Sequence, residues 1–199
     1  NDNFLDGVGT GARLSGPTQM VISPDGTKLY IADRNNNRIR VLNVATGAMT
    51  TLTGAGKINM FNNVKNAYAE GGPCPNTFDL GVAGCAYFDR PTGIAISKDG
   101  KTLYVSDSFN ARVRTVNTTT GVTKLLAGSS AGWLDGVGSA AKFRRPNHLL
   151  LSKDGTKLYV LDLTNHLLKQ IELSTKRVTT LAGTGAAGYR NGLFRQVVF

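Results

Sequence analysis

The sequence predicts an all-β fold, a β-propeller of four-stranded antiparallel blades, on three observations. The stretch "GPTQMVISPDGTKLYIADRNNNRIRVLNVATGAMTTLTG" (16–54) recurs without a gap as "RPTGIAISKDGKTLYVSDSFNARVRTVNTTTGVTKLLAG" (90–128) and "RPNHLLLSKDGTKLYVLDLTNHLLKQIELSTKRVTTLAG" (145–183). Turn residues return about every 8 to 12 positions, the spacing of short strands. Almost nothing follows the 3.6-residue period of an amphipathic helix. Four short strands per unit, repeated at roughly 40 to 55 residues, is the signature of a propeller.

Each strand follows from the first copy. Residues 18–22 alternate polar and apolar, as a half-buried strand does, and Asp25-Gly26 supplies a tight turn. "KLYIAD" (28–33) returns as a second strand and "RIRVLNV" (38–44) makes a third. Thr46-Gly47 turns again, and "AMTTLT" (48–53) makes a fourth. Pro17, Pro91 and Pro146 correspond, as do Tyr30, Tyr104 and Tyr159. Upstream, "FLDGVGTGARL" (4–14) matches "WLDGVGSAAKF" (133–143), and "YRNGLFRQVVF" (189–199) opens the pattern once more. Blades are therefore expected at 4–54, 88–128 and 133–183, with part of a fourth at 189–199.

The surplus between the first two blades forms an insertion at 55–87, rich in Gly, Pro and Asn. Closed propellers have four to eight blades. Three and a beginning predict either more blades in a longer polypeptide or copies of the chain that cover one another's open faces.

Composition narrows the class. A chain of 199 residues with 41% apolar and 18% charged residues is globular, not disordered. No run of 18 or so apolar residues is present, so no membrane insertion is expected, and "NDNFLDGVGT" lacks the features of a signal peptide. The net charge of +10 predicts attraction to polyanions, acidic glycans or RNA among them, without a dedicated basic arm. Cys74 and Cys85 lie within the insertion without CxxC spacing. A local disulfide is the simplest reading and points to an oxidising compartment; two buried thiols are the other.

The pattern P-x-G-[IV]-A, D-G, L-Y-V-[AS]-D, N-x-R-[IV]-R, T-G and [TL]-L-[AT]-G resembles the NHL repeat, and Asn165-His166-Leu167 falls where the naming tripeptide belongs. The resemblance covers nearly the whole chain apart from the insertion. It implies a propeller whose relatives include scaffolds, receptor ectodomains, RNA-binding domains and one class of amidating lyase.

Each chemical candidate has a structural competitor. His166 shares its slot with Asn37 and Ala111, which suits scaffold and not a shared ligand or base. Asp33, Asp107 and Asp162 recur with Arg40, Arg114 and Lys169 at a spacing of seven, and with Asn36, Asn110 and Asn165 between them. Structural hydrogen bonds and ion pairs that fix strand register are expected there; the functional alternative is a polar ring lining the central channel. Arg38 and Arg112 lie two residues before Arg40 and Arg114 on the same strand face. They form either a stripe for phosphate or sulfate groups or stem-packed arginines.

Other motifs dissolve. The "DGVG" segments offer one carboxylate each, too few for calcium, and read as connecting turns. "GTGAAG" (183–188) matches a dinucleotide fingerprint but lacks the helix and acid that complete it. His148 and His166 are the only histidines, short of the three protein ligands usual at a catalytic zinc. No catalytic residue, metal or cofactor is expected.

Phe61, Tyr68, Phe78, Tyr87, Phe109 and Phe194 do not recur, and those in the insertion, with Lys57 and Lys65, are candidate contacts. Asn117 opens the one sequon, beside the Thr120-Gly121 turn. The reading as a whole is a non-catalytic extracellular or cell-surface module that binds other proteins or copies of itself. An RNA-binding propeller is the alternative, and a metal-dependent lyase a remote one.

Overall fold

The computed structural model describes residues 4–54, 70–72 and 85–188. They form antiparallel sheets in a propeller-like arrangement. The first sheet contains β1 (Gly7–Val8), β2 (Pro17–Ile22), β3 (Lys28–Asp33), β4 (Arg38–Asn43) and β5 (Ala48–Thr53), in the order β1-β5-β4-β3-β2. The second contains β6 (Pro91–Ile96), β7 (Thr102–Asp107), β8 (Arg112–Asn117) and β9 (Thr123–Gly128) in sequence order. The third contains β10 (Gly136–Val137), β11 (Pro146–Leu151), β12 (Lys157–Asp162), β13 (Leu167–Glu172) and β14 (Arg177–Ala182), in the order β10-β14-β13-β12-β11. No helix among the described residues is long and apolar enough to cross a membrane.

The turn chemistry explains the register. In the first hairpin Ser23 and the Thr27 amide both hydrogen-bond Asp25 Oδ1, and the Gly26 amide donates to the Ser23 carbonyl. The same Ser-x-Asp-Gly arrangement closes the hairpins at Asp99 and Asp154. The hydrogen bond from Ser23 leads in holding the Asp25 carboxyl at about 2, well below its ordinary value. At the other end, Asn37, Ala111 and His166 each adopt a left-handed φ near +50° after a short 3₁₀ turn. Asparagine accepts this backbone most readily.

β6 lies between β2 and β11, and two apolar layers separate the sheets. Tyr30, Ala32 and Ile39 of the first sheet meet Phe88, Ile94, Leu103 and Val105 of the second. Tyr104, Val113 and Leu126 of the second meet Phe143, Leu149, Leu158, Val160 and Ile171 of the third. Polar latches join the innermost strands: Thr18 Oγ1 donates to the Thr92 carbonyl at 2.8 Å, and Thr92 Oγ1 to the Pro146 carbonyl at 3.3 Å.

Gly54 ends the first sheet at φ +102°, where an added Cβ would lie 2.5 Å from the Asn37 carbonyl oxygen and 2.9 Å from Arg38 Cα. Gly54→Ala therefore combines backbone strain with a clash against backbone, and should lose about 3 kcal/mol in urea unfolding. Gly11→Ala, which meets nothing within 4 Å, should leave the midpoint unchanged.

Candidate functional site

The repeated polar residues converge inside each sheet. Asp33 ends β3, and its carboxylate is fully buried. Oδ1 accepts the Ser15 amide at 2.8 Å; Oδ2 accepts Asn36 Nδ2 at 2.8 Å and pairs with Arg40 at 3.3 Å. Arg40, on β4 and also fully buried, reaches further: it donates to the Arg13 and Leu5 carbonyls and pairs with Asp6 at 2.8 Å. One cluster thus ties together the segment entering the sheet, the central hairpin and the segment leading into the edge strand β1.

The second sheet repeats the design. Asp107 accepts the Asp89 amide and Asn110 Nδ2 and pairs with Arg114 at 3.2 Å, while Arg114 donates to the Tyr87 carbonyl and lies beneath the Phe88 ring. Burial pushes the Asp107 carboxyl up to about 6, against the pull of Arg114, the Asp89 amide and Asn110. In the third sheet Asp162 holds the Arg144 and Arg145 amides and Asn165, and burial raises it too. There the ion pair moves. Lys169 pairs with Asp135 at 2.7 Å instead of with Asp162. Burial would raise Asp135, but hydrogen bonds from Lys169 and Thr180 outweigh it and hold the carboxyl below its ordinary value. The expected ion pair at a spacing of seven is therefore present in two sheets and replaced in the third.

Asp6 and Asp135 do more than turn the chain. Asp6 also takes the Thr51 hydroxyl, and Asp135 the Thr180 amide and hydroxyl. Glu70 plays the same part in the second sheet: it accepts the Leu125 amide at 2.7 Å, and Gly71 bridges Thr123 as Gly7 does Met49 and Gly136 does Val178. Glu70–Gly72 thus belong to the second sheet. The insertion expected at 55–87 is interrupted by a retained clasp. Its signature, an aromatic, any residue, a polar acceptor and glycine, reads Phe4-Leu5-Asp6-Gly7, Tyr68-Ala69-Glu70-Gly71, Trp133-Leu134-Asp135-Gly136 and Tyr189-Arg190-Asn191-Gly192. Tyr68 therefore does recur in sequence.

Arg38 is 3% exposed, donates to the Gly54 carbonyl at 2.6 Å and stacks 3.8 Å from the Phe4 ring centre. The guanidinium itself, and not the stem alone, is packed away from solvent, which takes Arg38 out of any surface stripe. Arg112 is half-buried and donates to the Asn110 carbonyl. His166 fills the left-handed slot, while His148 is exposed on β11. No group of three or more potential metal ligands occurs among the described residues. Asn117 is exposed, and its side-chain oxygen accepts the Thr119 and Thr120 amides. Cys85 is buried. Lys57, Phe61, Lys65, Tyr68, Cys74, Phe78 and the stretch 189–199 lie outside the described residues.

Arg114→Ala should destabilise the chain by about 3 to 5 kcal/mol in urea unfolding, because it leaves Asp107 buried without its cation. Asp107 also makes stability depend on pH. Between about pH 4 and 6 the folded chain holds the Asp107 proton more tightly than the unfolded chain does, so this contribution declines as pH rises through that window and is flat above it. Asp107→Asn should remove that part of the slope in urea midpoints measured from pH 4 to 7.

No family model matches the chain. Among curated proteins it is 32% identical over 193 residues to Protein SUPPRESSOR OF QUENCHING 1, chloroplastic, of Arabidopsis thaliana, covering 92% of this chain and 17% of that protein. It is 31% identical over 158 residues to human NHL repeat-containing protein 2, covering 77% of this chain and 20% of that protein. The chain thus spans no more than a fifth of the length of these relatives. Among solved structures, an auxiliary nutrient binding protein from Bacteroides ovatus superposes with a TM-score of 0.64 at 20% identity, covering 94% of this chain and 42% of that one. The repeat, the sheets it builds and these likenesses agree: the chain belongs to the NHL-repeat β-propeller family.

Proposed function

We propose that the chain is a non-catalytic propeller module, extracellular or at the cell surface, that binds other proteins, copies of itself included. One observation carries this reading: apolar positions sealed between sheets in the middle of the molecule lie open on its two ends. Met20 on β2 is 64% exposed, whereas its counterparts Ile94 and Leu149 are buried. Leu150 on β11 is 67% exposed, whereas its counterpart Ala95 is buried. Open apolar faces of this kind call for cover, which other proteins, copies of the chain or further blades of one polypeptide would supply. The recurring acids and bases, by contrast, are consumed by internal contacts, which leaves no repeated polar ring for catalysis among the described residues.

The extracellular part of the proposal draws on two further features. Asn117 is exposed at the end of β8, where a glycan could be carried. Cys85 is not a free thiol, and Cys74 is the other cysteine of the chain. The RNA-binding reading is favoured by the net charge of +10. A lyase would need histidines from beyond these residues.

The test is mass spectrometry of the naturally sourced protein, non-reduced and before and after enzymatic removal of N-glycans, with capture of bound proteins and bound RNA in parallel. The expected result is a Cys74–Cys85 bridge, a glycan on Asn117 and captured protein. A bare, reduced chain that crosslinks to RNA, with an affinity falling steeply as salt rises, overturns the reading and installs the RNA-binding one. Met20→Lys and Leu150→Lys should each reduce self-association in sedimentation without lowering the unfolding midpoint.

A further inference from the structure

The junction between the second and third sheets holds an arrangement that the repeat does not account for. Phe109, in the turn between β7 and β8, stands where the first unit has Asn35 and the third Thr164. The Arg90 guanidinium lies 4.2 Å from its ring centre and the Arg145 guanidinium 4.3 Å. Two cations at that distance do not share one face, because size and mutual repulsion separate them, so the ring is held between them. Arg90 immediately precedes β6 and Arg145 immediately precedes β11, so the stack spans the two sheets. Both arginines are exposed, as is the adjoining Arg144, and none of the three pairs with a carboxylate among the described residues.

The backbone is fixed on both sides. The Arg90 amide donates to Asn37 Oδ1 at 2.8 Å, and the Arg145 carbonyl accepts the Leu163 amide at 3.0 Å. Arg90 has φ +51°, a left-handed conformation that its counterpart Gly16 adopts at +57°. A long side chain is held in a backbone slot suited to glycine, and an outlier of this kind motivates a search for function.

We propose that this junction recognises an acidic peptide segment of a partner protein, with Arg90 and Arg145 each receiving a carboxylate. The proposal rests on the reading of the chain as a protein-binding module and names its surface. A single-stranded nucleic-acid site needs an open aromatic face on which bases stack. Here both faces of Phe109 are covered. A guanidinium stacked over a ring keeps the N–H fork in its own plane free to donate, and that fork matches a carboxylate. Stacking holds both forks in place before a ligand arrives, which lowers the ordering cost of binding. Asp89 is the nearby acid; it is half-buried, and burial raises it against the pull of Arg90.

The experiment is fluorescence anisotropy with a fluorescein-labelled peptide of eight residues alternating Glu and Ser, run beside a single-stranded RNA and a heparin oligosaccharide. Wild type is compared with Arg90→Gly, Arg145→Gln and Phe109→Leu. Arg90→Gly relaxes the backbone, so its melting temperature should be no lower than that of wild type. The expected result is peptide binding that each variant weakens at least about tenfold. Peptide affinity unchanged in Arg90→Gly and Arg145→Gln overturns the proposal. So does a wild-type chain that ignores the peptide, whether or not it binds RNA or heparin. Capture from the native source separates the two levels of the argument. If wild type and the Arg90→Gly, Arg145→Gln double variant retain the same proteins, the site is wrong and the module reading stands. If neither retains any protein, both fall.

Discussion

Everything in this structure leans on a carboxylate taken out of water at the end of the second strand of each unit. Asp33, Asp107 and Asp162 are each held by backbone amides of the entering segment and by an asparagine three residues on. A buried charge without these partners would be costly, so the chain must bring the entering segment, the hairpin and the following strand together at once. The apolar layers supply most of the drive to fold. The buried acid restricts which arrangement satisfies that drive, since a slip of one residue would turn it toward an apolar layer.

The third unit shows how side-chain shape sets the limits of this design. Arg40 presents a fork wide enough to serve Asp33 and Asp6 together. Lys169 ends in a single ammonium, a point donor, and its ion pair goes to Asp135 on the clasp alone. Asp162 compensates with backbone contacts, taking two amides where Asp33 takes one. Substituting lysine for arginine thus redistributes the polar contacts without dismantling the sheet.

Much of this was legible in the sequence because it repeats. The gapless alignment located the strands, the Asp-Gly turns and the acid and base that meet inside. What stayed hidden depended on contacts between distant positions. A period of two put Arg38 on the same face as Arg40, but only the fold shows Phe4 lying over it. Glu70 escaped because extra residues on both sides displaced it from the repeat spacing, and because a glutamate stands where the other units have aspartate. The stack on Phe109 was equally invisible, since it joins residues of two units through a ring that does not recur.

The clasp lets units of unequal length build the same sheet. Each sheet takes its outermost pairing from the beginning of its own unit, so a unit is sealed before the chain moves on. The stretches 55–69 and 73–84 therefore run between points already tied down, at Gly54, at Glu70–Gly72 and at Cys85. Loop-closure cost grows only logarithmically with length, so the longer spacing from Gly54 to Glu70 and from Gly72 to Cys85 than in the other two units costs little entropy, while the clasp keeps the same pairing in all three sheets.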